Sequence, residues 1–400
     1  MSLLSVKDAK ARILKGVKPL SGELVDLSQA PGRVLSKPVT AKRDQPAFAC
    51  SAMDGYAVRA ADVTSVPIDL EVIGESKAGG AFTGKVGTGQ AVNIYTGAPV
   101  PRGADAIVIQ EDTRLDAGTV TVLEAARPGK FVRPQAFDFR RGQTLIEPPR
   151  LLTPRDIGVA ASANCARIPV RKRPVIALIG TGDELVLPGD RPRSDQIVSS
   201  NNASLASFIR HFGGEPMDLG IVPDRLGAIK RAIGKARDAD IMVTIGGASV
   251  GKHDLVQQAL TESGIKMNFW RIAMRPGKPL MFARRARQRI IGLPGNPVSA
   301  LVCARIFLKP LIDALLGLAP EEPIIKARLG APLAANDQRQ DYLRARLARD
   351  ANGHLTVTSF AHQDSSMQAI MANADALIIR PPFARAARKG AAVDVLPIDF

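Results

Sequence analysis

The sequence predicts a multidomain α/β plus β protein, in which a central three-layer α/β/α domain with a mostly parallel sheet lies between β-rich segments. Three observations predict it. Between Pro174 and Leu316, short apolar runs ending in glycine alternate with stretches of helical periodicity. From Val17 to Val170 the texture is short β-like runs broken by Gly and Pro. After Leu316, apolar and polar residues again alternate over short runs.

Taken in order, residues 2–16 read as an amphipathic helix: Ser5 can cap it, Asp8 follows three later, and Leu4, Ala9 and Ile13 share a face. The runs Ile68–Ile73, Ala91–Tyr95, Ala106–Gln110 and Thr119–Leu123 predict one or two mainly β domains. Thr153 as cap with Pro154 at the first position predicts a helix over Pro154–Ala161, and Ile168–Pro174 reads as a linker. PVIALIGTGDEL (Pro174–Leu185), IMVTIGG (Ile241–Gly247) and RIIGLPGNP (Arg289–Pro297) predict buried parallel strands. Helices are expected at Asn202–Phe212, Arg225–Arg237 and Val298–Leu316. GLAPEEP marks a boundary, and the runs Tyr342–Leu347, Leu355–Phe360, Ala376–Ile379 and Ala392–Ile398 predict a small β-barrel or sandwich. The expected division is 1–173, 174–320 and 321–400, the first holding the helix and two interleaved β-rich subdomains.

No apolar run approaches the roughly 18 residues a membrane helix needs. Lys7, Asp8, Lys10 and Arg12 stand where a signal peptide would need its apolar stretch. Cys50, Cys165 and Cys303 form no metal-type spacing, and their odd number fits reduced thiols; a cytoplasmic location is expected. Nearly all of the net charge of +16 lies in two segments: Arg127–Arg173 contributes +8 and Arg271–Arg289 contributes +7. That excludes a basic tail and fits either an anionic small ligand or a basic soluble surface. Nucleic-acid binding would call for aromatic residues interleaved with the cations, and Phe131, Phe137 and Phe139 are thin support.

In an open parallel sheet the ligand sits beyond the carboxyl ends of the strands. Here those loops carry Asp183, Glu184, Ser249, Asp254 and Asn296 among glycines. Glycine lets backbone N–H groups approach a phosphate, and carboxylates hold a hard cation such as Mg²⁺. The pattern suggests a site for a phosphorylated small molecule; the plainer reading is that glycines simply end strands.

Six motifs occur in order: SAMDGYAV (Ser51–Val58), TGAPVPRGADAIVIQED (Thr96–Asp112), TGDEL (Thr181–Leu185), GGASVGKHD (Gly246–Asp254), RPGKP (Arg275–Pro279) and GLPGNPVSA (Gly292–Ala300). Together they resemble the molybdopterin molybdenumtransferase (MoeA) family, which includes the carboxy-terminal part of gephyrin, over nearly the whole chain. The resemblance implies the insertion of molybdate into adenylylated molybdopterin with release of AMP, assisted by Mg²⁺. It also implies a homodimer of four-domain subunits with a C-terminal β-barrel. The cleft would lie between the α/β domain of one subunit and the β-rich domains of the other, and the adenylylating enzyme is an implied partner.

By the same resemblance Glu184, Asp224 and Asp254 are the acids around metal and nucleotide, with Asp54, Thr96 and Asp138 as further catalytic positions. Gly246, Gly247, Ser249, Arg271, Arg275, Lys278, Pro294, Asn296, Pro297, Arg339, Ser365 and Ser366 are implied to bind substrate. Asp183, Asp54 and Thr96 also have a local reading as turn-fixing residues. Arg271 and Arg275 replace common lysines, Ile245 replaces a Ser or Thr, Asp364 replaces a glycine, and Ala49-Cys50 replaces a pair beginning with Asp. These departures leave open a pterin-binding paralogue or carrier without insertion activity. A clustering scaffold would need an appended interaction domain, for which this sequence has no segment.

Overall fold

The structure, a computed structural model, describes residues 3–247, 255–398 and 400. The chain forms two compact units, one from residues 24–170 and one from the segment up to Glu23 together with Arg171 onward. The expected fold class is borne out.

In the first unit, Gly55–Val58, Ile68–Ser76, Gln90–Ile94, Ala106–Ile109, Thr113–Asp116 and Thr119–Val122 make one six-stranded sheet. Its flanking chain pairs with itself: Val34–Leu35 with Arg150–Leu151, Val39–Thr40 with Thr144–Ile146, and Cys50–Ser51 with Val132–Arg133. The inner sheet is thus an insertion within a second β structure. Helix Pro154–Ser162 begins as the sequence indicates, with the Asp156 carboxylate accepting from the Thr153 N–H (2.8 Å) and hydroxyl (2.7 Å).

The second unit contains the α/β domain. Its sheet runs in the order Glu215–Val222, Val175–Thr181, Ile241–Ile245, Gln288–Leu293, Met281–Arg285, Lys266–Phe269. The first four strands are parallel, and the last two join antiparallel. Side chains alternate across a strand, so Ala177, Ile179, Met242 and Ile290 face one side. There they pack against Ile229 and Ile233 of helix Leu226–Lys235 and Val256 and Leu260 of helix Leu255–Glu262. Helices Asn201–His211 and Pro297–Cys303 cover the opposite face. A fully buried Leu or Ile contributes about 1.5–3 kcal/mol, so this two-faced burial is what makes the strand sequences continuous apolar runs.

Helix Val6–Leu14 packs within this second unit although it precedes the β-rich half. Ser5 accepts from the Asp8 N–H at 3.0 Å, and Val6, Ala9 and Ile13 are buried. Arg289 donates to the carbonyls of Ile13 (3.3 Å) and Lys15 (3.0 Å), placing a cation at the negative end of the helix. In the C-terminal region, Gln340–Arg349, Leu355–Ser359, Ile325–Leu329, Ala392–Pro397 and Ala376–Arg380 follow one another by pairing, and the last pairs back to the first. This closes a five-stranded barrel, which removes free sheet edges. All three cysteines are buried and unpaired, and among the described residues no helix is long and apolar enough to cross a membrane.

Candidate functional site

Val175–Thr181 and Ile241–Ile245, the first and third parallel strands in chain order, are neighbours in the sheet whose following helices cover opposite faces. A crevice opens at such a switch point. It is a cavity of about 740 Å³ lined by the carboxyl ends of three strands at Gly182, Gly246–Gly247 and Pro294–Asn296. The backbone here admits little but glycine. Gly246 has φ +86°, and an added Cβ would lie 2.8 Å from the Thr181 carbonyl oxygen; at Gly247 (φ +62°) it would lie 2.4 Å from Val256 Cγ2.

Glu184 and Asp224 bring carboxylates to the cavity wall. Partial desolvation raises the Asp224 carboxyl above its ordinary value, and the negative charges of Asp183 and Glu184 push the same way. Asp183 does not line the cavity; its Oδ1 accepts from the Asp224 N–H at 3.0 Å. That contact favours the turn-fixing reading of Asp183. Arg271 and Lys278, both exposed, line the same cavity. The basic segment that contains them divides: Arg284 and Arg287 lie exposed on the hairpin that starts the Gln288–Leu293 strand, at the other end of the sheet.

The pair of hard oxygen donors at Glu184 and Asp224 on one cavity fits part of a divalent-cation shell. Among the described residues no group of three His, Cys, Asp or Glu is placed to hold a metal ion. The third expected ligand, Asp254, and the expected phosphate contact Ser249 lie outside the described residues.

The remaining expected residues are distributed around this cavity or away from it. Pro294 is buried in its wall, and Asn296, at its rim, donates from Nδ2 to Ser365 Oγ at 2.7 Å. The Ser365 carbonyl accepts from the Val298 N–H at 3.1 Å, so Pro297 and Ser365 sit where the barrel meets the helix start. Ser366 turns instead to Asp364, donating from its hydroxyl at 2.6 Å. Arg275 is not in the lining; its guanidinium donates to Asp341 at 2.5 Å. Arg339 forks onto Asp337, holding that carboxyl at about 2, well below its usual range.

In the β-rich unit the structure joins Asp54 and Thr96. Asp54 Oδ1 accepts from both the N–H and the hydroxyl of Thr96, each at 2.7 Å, which lowers its pKa. The Thr96 hydroxyl therefore already has an acceptor. Asp138 is exposed, its N–H donating to the Gln45 carbonyl at 2.9 Å.

Three residues beyond the expected set belong here. Asn201 and Asn202 line the cavity, Asn201 donating to the Gly295 carbonyl (2.7 Å) and Asn202 to Asp218 (2.6 Å). Their signal was a polar Ser-Ser-Asn-Asn run at the start of a helix. Arg344 is buried and fastens the loop that carries Ser365: its N–H and Nε donate to Gln363 Oε1 (3.0 and 3.3 Å), and Nη1 donates to the Met367 carbonyl (3.2 Å). Nothing in the sequence signals it: the strand also carries Arg346, and nothing local separates the buried arginine from the other.

Three family models match consecutive parts of the chain: the MoeA N-terminal region (domain I and II) over residues 4–164, a probable molybdopterin binding domain over 177–314, and the MoeA C-terminal region (domain IV) over 326–398. A molybdopterin molybdenumtransferase of Nostoc sp. is 39% identical over 353 residues, covering 85% of this chain and 81% of the relative. One from Haemophilus influenzae is 32% identical, covering 94% of each. Two solved structures of the Pyrococcus horikoshii molybdopterin biosynthesis MoeA protein superpose with TM-scores of 0.86 and 0.82 at 27% and 26% identity, each over 99% of this chain and at least 99% of its own. With the cavity at the strand ends and the closed barrel beyond it, these matches settle the assignment: the chain belongs to the MoeA family, the family of the molybdopterin molybdenumtransferases.

Proposed function

We propose that this chain is a molybdopterin molybdenumtransferase acting in molybdenum cofactor biosynthesis: it takes adenylylated molybdopterin and molybdate, completes the metal insertion and releases AMP. The observation that carries this reading is the strand-end cavity, where glycine backbone and the cations of Arg271 and Lys278 share a wall with Glu184 and Asp224. Both substrates are anions. Close-approaching backbone N–H groups and the two cations suit their oxygens, and Pro294 offers a rigid apolar wall to a flat ring.

AMP release breaks a phosphoanhydride: a water oxygen bonds to phosphorus, the bridging oxygen leaves with its electron pair, and the water gives up a proton. A carboxylate at the cavity wall that is not engaged by a cation is a suitable acceptor. Glu184 and Asp224 would hold a divalent cation such as Mg²⁺, with Asp254 as a third ligand. When bound, that ion supplies charge neutralisation at the phosphate oxygens. Asn296, tied to Ser365, and Pro297 fix the rim. Asp54, Thr96 and Asp138 are proposed to act from the β-rich domains of a partner subunit in a cytoplasmic homodimer, with the adenylylating enzyme as supplier.

The test is AMP release and reconstitution of an apo-molybdoenzyme with purified protein, adenylylated molybdopterin, molybdate and Mg²⁺. Both are expected to require molybdate and to fall by about 10²-fold or more in Glu184→Gln. Pterin binding without AMP release at any molybdate concentration would replace this reading with a carrier.

A further inference from the structure

We propose that Asp341 is a positioning residue: with Asp337 it holds Arg275, and through Arg275 it holds the loop that presents Arg271 and Lys278 to the cavity. The inference rests on the proposed function only in taking those two cations as the anion-binding part of the site.

The loop has a neck and a tip. At the neck, the Lys278 carbonyl accepts from the N–H groups of Ile272 and Leu280, each at 3.1 Å, so Arg271 and Lys278 are held close together. Both reach the cavity. Toward the tip, Met274–Arg275 pairs in parallel with the start of a barrel strand, Met274 opposite Gln340 and Arg275 opposite Asp341. The Gln340 N–H donates to the Ala273 carbonyl at 2.9 Å. The barrel therefore grips the tip while the neck opens on the cavity.

The side chains complete this grip. Asp341 is 2% exposed; Oδ2 accepts from Arg275 Nη2 at 2.5 Å, and Oδ1 has no hydrogen-bond partner among the described residues. Among the described residues Arg275 is its one ion-pair partner within 4 Å. A buried carboxylate with so little compensation depends on the cation beside it. Arg275 Nη1 also lies 3.9 Å from Asp337, which Arg339 holds in place. Two amino groups facing two acids use the planar fork of arginine, and the single ammonium of lysine cannot reproduce that arrangement. Since Arg275 is spent on the barrel and absent from the cavity lining, its influence on substrate runs through the loop.

The experiment is a double-mutant cycle on the full chain with Asp341→Asn, Arg275→Ala and the pair, plus Arg275→Lys and the exposed Asp337→Asn. KM and kcat for AMP release are read beside amide hydrogen exchange at Ile272 and Leu280. Each of the first two changes is expected to raise KM about 10-fold with kcat within about 2-fold, the pair being no worse than either, because both break one connection. Arg275→Lys should recover only part of the loss, and Asp337→Asn should show a smaller KM rise. Asp341→Asn should also speed exchange at the loop neck, a readout that needs no turnover and stands if the wild type releases no AMP. Unchanged or lowered KM in Asp341→Asn, alongside a raised KM in Arg275→Ala, would overturn the inference by showing that Arg275 grips substrate itself. Unchanged exchange at the neck would overturn it as well.

Discussion

Replacing Gly247 by alanine should be costly, and a second substitution should refund a defined part of the cost. The left-handed backbone at φ +62° costs an L-residue about 1–2 kcal/mol. The added methyl would lie 2.4 Å from Val256 Cγ2, a contact that forces the core to shift, at about 1–3 kcal/mol more. Gly247→Ala should therefore destabilise by about 2–5 kcal/mol. Val256→Ala alone removes two buried methyl groups and should cost about 2 kcal/mol. In the double variant the clashing methyl is gone and the new one occupies part of the space it left. The backbone strain, a 3.1 Å approach of the new methyl to the remaining Cβ of residue 256 and a small residual cavity are what is left, so the two changes should couple favourably by about 1–2 kcal/mol. Urea unfolding followed by the fluorescence of Trp270, the chain's single tryptophan, reports this, since it lies in the same unit. Additivity within about 0.5 kcal/mol would refute the reasoning, because it would mean that Gly247 is required for something other than close approach to Val256.

Three further outcomes follow from the charged contacts. Thr96→Val removes one of two donors that lower the Asp54 carboxyl; a depressed carboxylate stabilises above its unfolded pKa and loses that contribution as pH falls through the native value. The thermal midpoint of the variant should thus fall below wild type at neutral pH and converge on it under acid. Arg339→Gln should return the Asp337 carboxyl from about 2 toward the ordinary value near 3.8, read by carbon-detected NMR titration. Asp224 is raised, so protonation competes with a cation: Mg²⁺ affinity measured by calorimetry should increase as pH rises through and above the ordinary aspartate range, and Asp224→Asn should lower the affinity and move the pH dependence that remains, carried by Glu184, to lower pH.

What was legible in the sequence was whatever a local period or a local turn dictates. The parallel strands were readable because burial on both faces demands unbroken apolar runs, and Val175–Thr181 and Ile241–Ile245 fall inside the stretches so marked. The four apolar-polar runs near the carboxy terminus became strands, but barrel or sandwich stayed open because the pairing of Ala376–Arg380 back to Gln340–Arg349 is not a local property. The placement of helix Val6–Leu14 beside the α/β sheet was hidden for the same reason: its partner, Arg289, is hundreds of residues away and reads in sequence as one more surface cation. The candidate site divides along this line. Gly246 and Gly247 announce themselves by backbone need, whereas Arg271 and Arg275, four residues apart and alike in charge, have different destinations, the cavity and the barrel. Nothing in RIAMRPGKP distinguishes them. The distinction is set by Asp341, which the sequence shows only as one acid in a polar stretch and which the fold makes a buried counter-charge. In this loop the identity of a cation is therefore less informative than the identity of the acid that reaches it first.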